Sequence, residues 1–306
     1  MSCEGRGALD VIVGLISFLI SFFGGVIVSD NSHFKIKHYR IENKKIRTPF
    51  RFALLSDLHG KQYGEDNAKL LAALMRKNPD FVIVAGDLII GNKKESIAPA
   101  MKFLKKLCEM FPVYFALGNH ESKWKYTKEE YEALLFKIKE AGAVLLDNDT
   151  LHMSGQDIYL HGLTLEKRYY DKFKKPGLEI EDINGYLGEP AKDGFHLLVA
   201  HNPEYFPAYA RWGADLTVSG HLHGGIMRLP ALKRKKRRQT ARGVISPKFR
   251  LFPDYSGGKY DFCEKNGQAK HLIVSCGLGS HTIPVRVFNP GELVFADVMP
   301  EEKATV

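Results

Sequence analysis

Residues 51–59, RFALLSDLH, form a short apolar run closed by an aspartate and a histidine two positions apart. A run of that length, apolar throughout, reads as a buried strand. The same texture recurs in DFVIVAGD (80–87), VYFALGNHE (113–121), FHLLVAHN (195–202) and DLTVSGHLH (215–223). Each strand therefore ends in a carboxylate, an amide or an imidazole. In an α/β sheet, ligands bind beyond the carboxyl ends of the strands, so groups far apart in the chain can converge on one edge.

Between these runs, apolar residues at three and four spacing predict helices over 67–77, 96–110 and 127–141. The last opens with a Thr127-x-x-Glu130 capping box. The first half thus reads β-α-β-α-β-α. After Gly142 the runs AVLL (143–146), TLHM (150–153) and DIYL (157–160) are separated by turn residues and read as antiparallel strands. Residues 271–275 and 293–298 also read as β structure. This order fits two facing sheets between helical layers.

The groups that end the strands are metal-ligand types: Asp57, His59, Asp87, Asn119, His201, His221 and His223. Seven donor residues exceed what one ion needs. If Asp87 bridges, two ions about 3.5–4 Å apart each receive four protein ligands and keep open positions for water and substrate. With only Asp57 and Asp87 anionic, such a pair stays electrophilic and suits an anionic substrate. His120, beside Asn119, is free to aim at that substrate and titrates near neutrality. His152, His161 and His196 read as packed core histidines, His161 with a supporting or substrate role as the alternative. Cys3, Cys108, Cys263 and Cys276 are dispersed without a CxxC and outline no disulfide framework.

The ordered blocks D-x-H, G-D, G-N-H-E, a lone H and G-H-x-H resemble the calcineurin-like metallophosphoesterases, from about Phe50 to about Val298. HLHGGIMRLP (221–230), GGKY (257–260) and SCGLG (275–279) are similar to its membrane-anchored bacterial branch. The resemblance implies an α/β four-layer α-β-β-α sandwich of two mixed sheets. It implies a first metal held by Asp57, His59, Asp87 and His223, and a second held by Asp87, Asn119, His201 and His221. His120 would be a general acid or a positive hydrogen-bond donor. The reaction implied is hydrolysis of a phosphate mono- or diester by hydroxide activated between two divalent transition metals, with Mn, Fe or Zn expected. Two departures are Glu121, where the family often has Asp, and Leu222, where a small hydroxyl residue is common.

The chain has 306 residues, 44% of them hydrophobic, enough for one large catalytic domain, expected over 49–300 with a tail at 301–306. Residues 11–28, VIVGLISFLISFFGGVIV, carry no charge and are long enough to cross a bilayer, so 1–30 is read as a tail and one transmembrane helix. A cleaved signal peptide is the rival reading. Residues 31–48 read as a basic juxtamembrane linker. The tail has only Arg6, whereas Lys35, Lys37, Arg40, Lys44, Lys45 and Arg47 follow the helix. The positive-inside rule then puts the catalytic domain in the cytoplasm, with export as the alternative.

The net charge of +9 is concentrated in two places, +5 over 31–47 and +6 in the run Lys233, Arg234, Lys235, Lys236, Arg237 and Arg238. That run suits anionic lipid headgroups or a highly phosphorylated substrate. It lacks the interleaved aromatics of a nucleic-acid surface. The aromatic segment 166–190, with Tyr169, Tyr170, Phe173 and Tyr186, is a candidate substrate wall. The expectation is a single-pass, monomeric, membrane-anchored phosphoesterase acting on a phospholipid or another membrane-associated anion. The alternatives are a nuclease or nucleotide phosphodiesterase, and a non-catalytic membrane-tethered scaffold.

Overall fold

A computed structural model of the chain describes residues 3–91, 93–155, 157–171, 174–229, 243–245, 251–263, 268–280 and 284–301. Helix α1 (Cys3–Ser32) leads into β1 (Phe34–Asn43) and β2 (Phe50–Leu55). There follow α2 (Ala68–Lys77), β3 (Phe81–Ala85), α3 (Ile97–Cys108), β4 (Val113–Ala116), α4 (Lys128–Glu140) and β5 (Val144–Leu146). The second half contains β6 (Asp149–Met153), β7 (Ile158–Leu163), α5 (Ile180–Leu187), β8 (Phe195–Ala200), α6 (Phe206–Trp212) and β9 (Leu216–Ser219). Last come β10 (Met227–Arg228), β11 (Gly243–Ile245), β12 (Gly258–Phe262), β13 (Lys270–Val274) and β14 (Gly291–Pro300).

Two mixed six-stranded sheets result, ordered β1-β14-β2-β3-β4-β5 and β12-β13-β9-β8-β7-β6. Alternation along the strands explains why they pack face to face. Phe52, Leu54, Ile83 and Ala85 point into a core shared with Leu197, Val199, Val218 and Ile273 of the second sheet. Their neighbours Ala53, Leu55, Val82 and Val84 point outward, under Leu74, Phe103, Leu107, Leu134 and Ile138 of α2, α3 and α4. On the far side, Leu198 and Ala200 pack under Ile183 of α5 and Tyr209 and Trp212 of α6. Both faces of each central strand are therefore buried, which is why the sequence shows continuous apolar runs there. The predicted four-layer sandwich is the observed fold.

Helix α4 starts at the predicted cap, with Glu130 N–H donating to Thr127 Oγ1 and Thr127 N–H to Glu130 Oε2. Two readings differ from the structure. Residues 144–146 do not pair with β6; β5 runs parallel to β4 in the first sheet, and only β6 and β7 form the antiparallel pair. Residues 34–43, read as linker, form the ten-residue edge strand β1, parallel to β14. Phe34 and Ile36 cover the helix side of the sheet, while Tyr39 and Ile41 cover the inter-sheet core. The interspersed Lys and Arg hid this period of two, and such cations are common on edge strands, where they oppose further pairing. Because β1 carries the chain roughly 30 Å down the sheet edge, Arg40 to Arg47 lie away from the end of α1. Arg40 pairs with Glu42, and Lys45 with Asp215.

Asp215 anchors the edge of the sandwich opposite the strands' carboxyl ends. Its fully buried carboxylate accepts hydrogen bonds from His196 N–H at 2.9 Å, Lys45 Nζ at 2.8 Å and Lys270 Nζ at 2.6 Å. Burial alone would raise its pKa, but these three donors hold it below the usual carboxylate range. A depressed folded-state pKa contributes stability above the unfolded value of about 3.9, lost as pH falls through the folded value. Asp215→Asn is expected to destabilise the protein by about 3 kcal/mol at pH 7. In urea unfolding, the gap between variant and wild type should close below about pH 4; a constant gap would contradict this.

Candidate metal centre

The carboxyl ends of β2, β3 and β4 in one sheet and of β8 and β9 in the other meet at one edge, and the eight residues predicted as metal ligands or catalytic lie in the loops that follow. Asp57, His59, Asp87, His120, His201, His221 and His223 are all buried. Asp57, His59, Asp87, His221 and His223 have φ between 47° and 73°, in the left-handed region that non-glycine residues rarely occupy. Five such residues around one point mark a place where the fold holds strained backbone for chemistry.

The glycines of the motifs have steric reasons. A Cβ at Gly118 would collide with the Asp87 carboxylate, and one at Gly220 would collide with Ser56 Oγ and the Asp57 carboxylate. The loops also zip together. Asp57 N–H donates to Gly86 C=O at 3.0 Å, His59 N–H to Asp87 C=O at 3.1 Å, and His120 N–H to Asp87 Oδ1 at 2.8 Å. Ser56 Oγ and His221 N–H donate to the Asp57 carboxylate.

One donor atom from each residue lies within 4.8 Å of the others in three groups: Asp57, His59 and His223; Asp87, His201 and His221; and His59, Asp87 and His120. The first is the first predicted metal set less Asp87, the second is the second set less Asn119, and the third brings in His120, which was expected to stay off both metals. Asp87 Oδ2 is 3.1 Å from His201 Nε2 and 3.7 Å from His59 Nε2, so its carboxylate faces both groups. His223 Nε2 is 3.5 Å from Asp57 Oδ1.

Backbone carbonyls orient the imidazoles. His59 Nδ1–H donates to Ile89 C=O at 3.1 Å, His201 Nδ1–H to Ala85 C=O at 2.7 Å, and His223 Nδ1–H to Gly279 C=O at 3.0 Å. Each Nε2 lone pair is thereby turned into the site, the usual arrangement of a metal-binding histidine. Two atoms would suit a cation. Asn119 Oδ1 is buried with no hydrogen-bond partner, and His201 Nε2 faces Asp87 Oδ2 without an acceptable hydrogen-bond geometry. The residues present fit a pair of divalent ions bridged by Asp87.

Electrostatics point the same way. Burial lifts the Asp57 carboxyl to about 6, against the pull of His201 and with the push of Asp87. Burial also opposes charge on His201, yet Asp87 and then Asp57 raise it to about 10. A proton is thus favoured where a cation would sit.

His120 is held differently. Gly91 N–H donates to His120 Nδ1 at 2.7 Å, so Nδ1 accepts and the ring proton is on Nε2, 4.0 Å from Asp87 Oδ2. Burial lowers its pKa, although Asp87 opposes this. The arrangement is that of a hydrogen-bond donor through Nε2.

Glu121, noted in the sequence as a departure from the family pattern, and Arg286, which sequence reasoning missed, hold these loops in place. The buried Glu121 carboxylate accepts from Asp87 N–H at 2.8 Å, Gly118 N–H at 3.0 Å and Ile89 N–H at 3.2 Å. Arg286, also buried, donates to the carbonyls of Cys276, Gly277, Gly279 and Asn289. Gly279 is the residue that holds His223. For Glu121 the G-N-H-E block was a signal; for Arg286 the SCGLG block was the only one.

Of the aromatic segment, Tyr170 reaches the site, its ring centroid 5.1 Å from that of His221 and 5.5 Å from that of Trp124. Tyr169 is buried in the α5–α6 core, and Tyr186 donates to Glu166. His161 lies outside the ligand set, between Thr150 Oγ1 and His196 Nδ1. Cys108, Cys263 and Cys276 are free thiols. Phe173 and the basic run Lys233, Arg234, Lys235, Lys236, Arg237 and Arg238 lie outside the described residues.

The profile of the calcineurin-like phosphoesterases matches residues 50–225, more than half of the chain and all five ligand blocks. The chain belongs to that family. An uncharacterised metallophosphoesterase of Campylobacter jejuni is 27% identical over 86% of this chain and 63% of its own length. One from Aquifex aeolicus is 24% identical over 95% of this chain and 97% of that protein. The phosphodiesterase YaeI of Escherichia coli is 22% identical over 64% of this chain and 68% of its own. An NAD nucleotidase of Haemophilus influenzae, a solved structure, overlays 75% of this chain and 45% of its own with a TM-score of 0.41 at 16% identity. As a family member, the chain is a hydrolase of phosphoester bonds, and the family uses divalent metal ions.

Two outcomes are expected for metal binding. Because the Asp87 and Asp57 carboxylates favour a proton on His201, binding of Mn²⁺ should release protons at pH 7–8, and apparent affinity should rise up to about tenfold per pH unit. Titration calorimetry in buffers of different ionisation enthalpy measures this, and pH-independent affinity would refute it. Glu121→Ala and Arg286→Met, neither of them a ligand, should each weaken Mn²⁺ retention by about 10–100-fold, read by elemental analysis after dialysis.

Proposed function

We propose that the chain hydrolyses a phosphodiester or monoester of a membrane-associated anion at a dinuclear centre held by Asp57, His59, Asp87, Asn119, His201, His221 and His223. The observation that carries the reading is the Asp87 carboxylate facing His59 on one side and His201 on the other. Divalent ions bound there would clamp the phosphate oxygens and lower the pKa of the attacking water; the mixed imidazole and carboxylate set suits Mn, Fe or Zn.

The chain's own groups do the rest. Carbonyl-anchored imidazoles and the Glu121 clamp keep the ligands pre-organised, so little reorganisation is needed in the transition state. His120 presents Nε2–H to the space before Asp87, where it can donate to a phosphoryl or leaving-group oxygen. Tyr170 and Trp124 form an apolar wall on the His221 side that screens the site from water.

The membrane part of the proposal is supported by residues 10–32, a helix of mean hydropathy 2.7 with none of its apolar window buried in the protein. The six consecutive basic residues between β10 and β11 in sequence favour an anionic surface. Cytoplasmic placement of the domain rests on Lys35 and Lys37 next to the helix end against Arg6 at the tail. The relative named a phosphodiesterase favours a diester.

The test is phosphate or nitrophenol release from bis-p-nitrophenyl phosphate, p-nitrophenyl phosphate, single-stranded DNA and anionic liposomes, with Mn²⁺ or with chelator. Turnover should need metal, vanish in Asp87→Asn and fall about 10²–10⁴-fold in His120→Ala. Equal, negligible rates in all three proteins would support the scaffold alternative; preferential DNA cleavage would support the nuclease.

A further inference from the structure

Beside the metal centre lies a small ribbon that the catalytic reading leaves unused. Its four segments are hydrogen-bonded side by side. Phe252 N–H donates to Val244 C=O, Ile226 N–H to Ile245 C=O, and Val287 N–H to Ile226 C=O. Bridges join Ile245 to Leu251 and Met227 to Val287. The ribbon is roughly 14 Å wide at the usual strand spacing. It exposes large apolar side chains: Leu251 at 64%, Phe252 at 57%, Leu229 at 47% and Phe288 at 42%. Phe252 and Phe288 both have left-handed φ, 46° and 54°, an uncommon conformation for bulky residues. Left-handed backbone at Phe252 is not repaid by burial, since 57% of the residue stays exposed.

The position of α1 says what covers them. Helix α1 does not dangle from the domain. Buried Asp30 accepts Asn289 N–H at 2.8 Å, and Asn31 Nδ2 donates to Pro284 C=O at 3.0 Å. Asn289 in turn donates to the carbonyls of His223 and Gly225, so the helix end is tied within two residues to the ligand loop. One residue separates α1 from β1, whose first residue pairs with Gly291 at the metal-site edge. The helix therefore leaves the domain at that edge. The Phe288 ring lies 6.5 Å from the rings of both Phe22 and Phe23, within the uncharged stretch 11–28. If that stretch is in a bilayer, Phe288 is there too.

We infer that the ribbon carrying Leu229, Leu251, Phe252 and Phe288 is a foot that sinks into the bilayer surface beside α1 and turns the mouth of the metal centre toward the lipid headgroups. This deepens the proposed function, on which it rests for the catalytic role of that mouth. Substrate would then enter laterally, its phosphoester at headgroup depth and its apolar part left in the membrane. A foot of this kind commonly settles about 5–10 Å into the headgroup and acyl boundary.

The full chain, reconstituted into vesicles of phosphatidylcholine and phosphatidylglycerol, gives the test. Phe252→Trp and Leu251→Trp are compared with wild type and with Met75→Trp, an exposed position near the end of α2 that lies toward the opposite edge. Replacing the phosphatidylcholine by its chain-brominated form should quench the added fluorescence at 251 and 252 by at least about twofold and leave that at 75 unchanged. No quenching at 251 and 252, in variants with wild-type circular dichroism and melting, would overturn the foot. A blue shift there that depends on protein concentration and not on bromine would mean that a second copy covers the ribbon, and would equally overturn it. Hydrolysis of bis-p-nitrophenyl phosphate by the wild-type vesicles reads the catalytic proposal separately: quenching without turnover would sink the hydrolase and leave the orientation standing.

Discussion

The structure depends on one buried carboxylate, Asp87, being held between two sets of histidines that belong to different sheets. His59 and His120 reach it from the first sheet, and His201 from the second. A charge in that position is tolerable only where cations or protons compensate it, because an isolated buried carboxylate is far too costly. The sandwich is arranged around that requirement. The inter-sheet core fixes the strand ends, and the strand ends fix the loops. The loops then accept left-handed backbone at five ligands so that the donor atoms converge.

A ligand set of this kind is only as good as what holds it. The lone pairs of His59, His201 and His223 are aimed by carbonyls of Ile89, Ala85 and Gly279. Those carbonyls are held in turn, by Glu121 around the Asp87 loop and by Arg286 around the Gly279 loop. Glu121 gathers three N–H groups onto one buried carboxylate, and Arg286 spends its guanidinium on carbonyls rather than on an acid. Both are supports rather than reactants. His120 is held differently, its Nδ1 accepting from Gly91 N–H and its Nε2 turned toward Asp87.

Legibility followed the physics of each element. The central strands β2, β3, β4, β8 and β9 were plain because both of their faces are buried, which leaves uninterrupted apolar runs. Helix α4 was plain because its cap is local, made by Thr127 and Glu130 within one turn. Edge strand β1 was not, because its period of two is interrupted by the cations that edge strands carry. The partner of β5 was equally hidden: three consecutive short strands look alike in sequence, and only the parallel pairing of Val144–Leu146 with β4 assigns it to the first sheet. The support Arg286 escaped because a hydrogen bond to a backbone carbonyl leaves no mark on the sequence of its partner.

From residue types and their order alone came the donor residues that the fold gathers at one edge, the layered α/β architecture and the apolar N-terminal helix. These are properties of short segments, set by burial pattern and donor chemistry, and they survive without knowledge of what lies next to what. Tertiary structure alone decided the tautomer of His120, the clamps on the ligand loops, and the course of β1. It also decided the union of α1 with the metal-site edge through Asp30 and Asn289. Each of these is a contact between residues distant in the chain, where the energy lies in geometry rather than in composition.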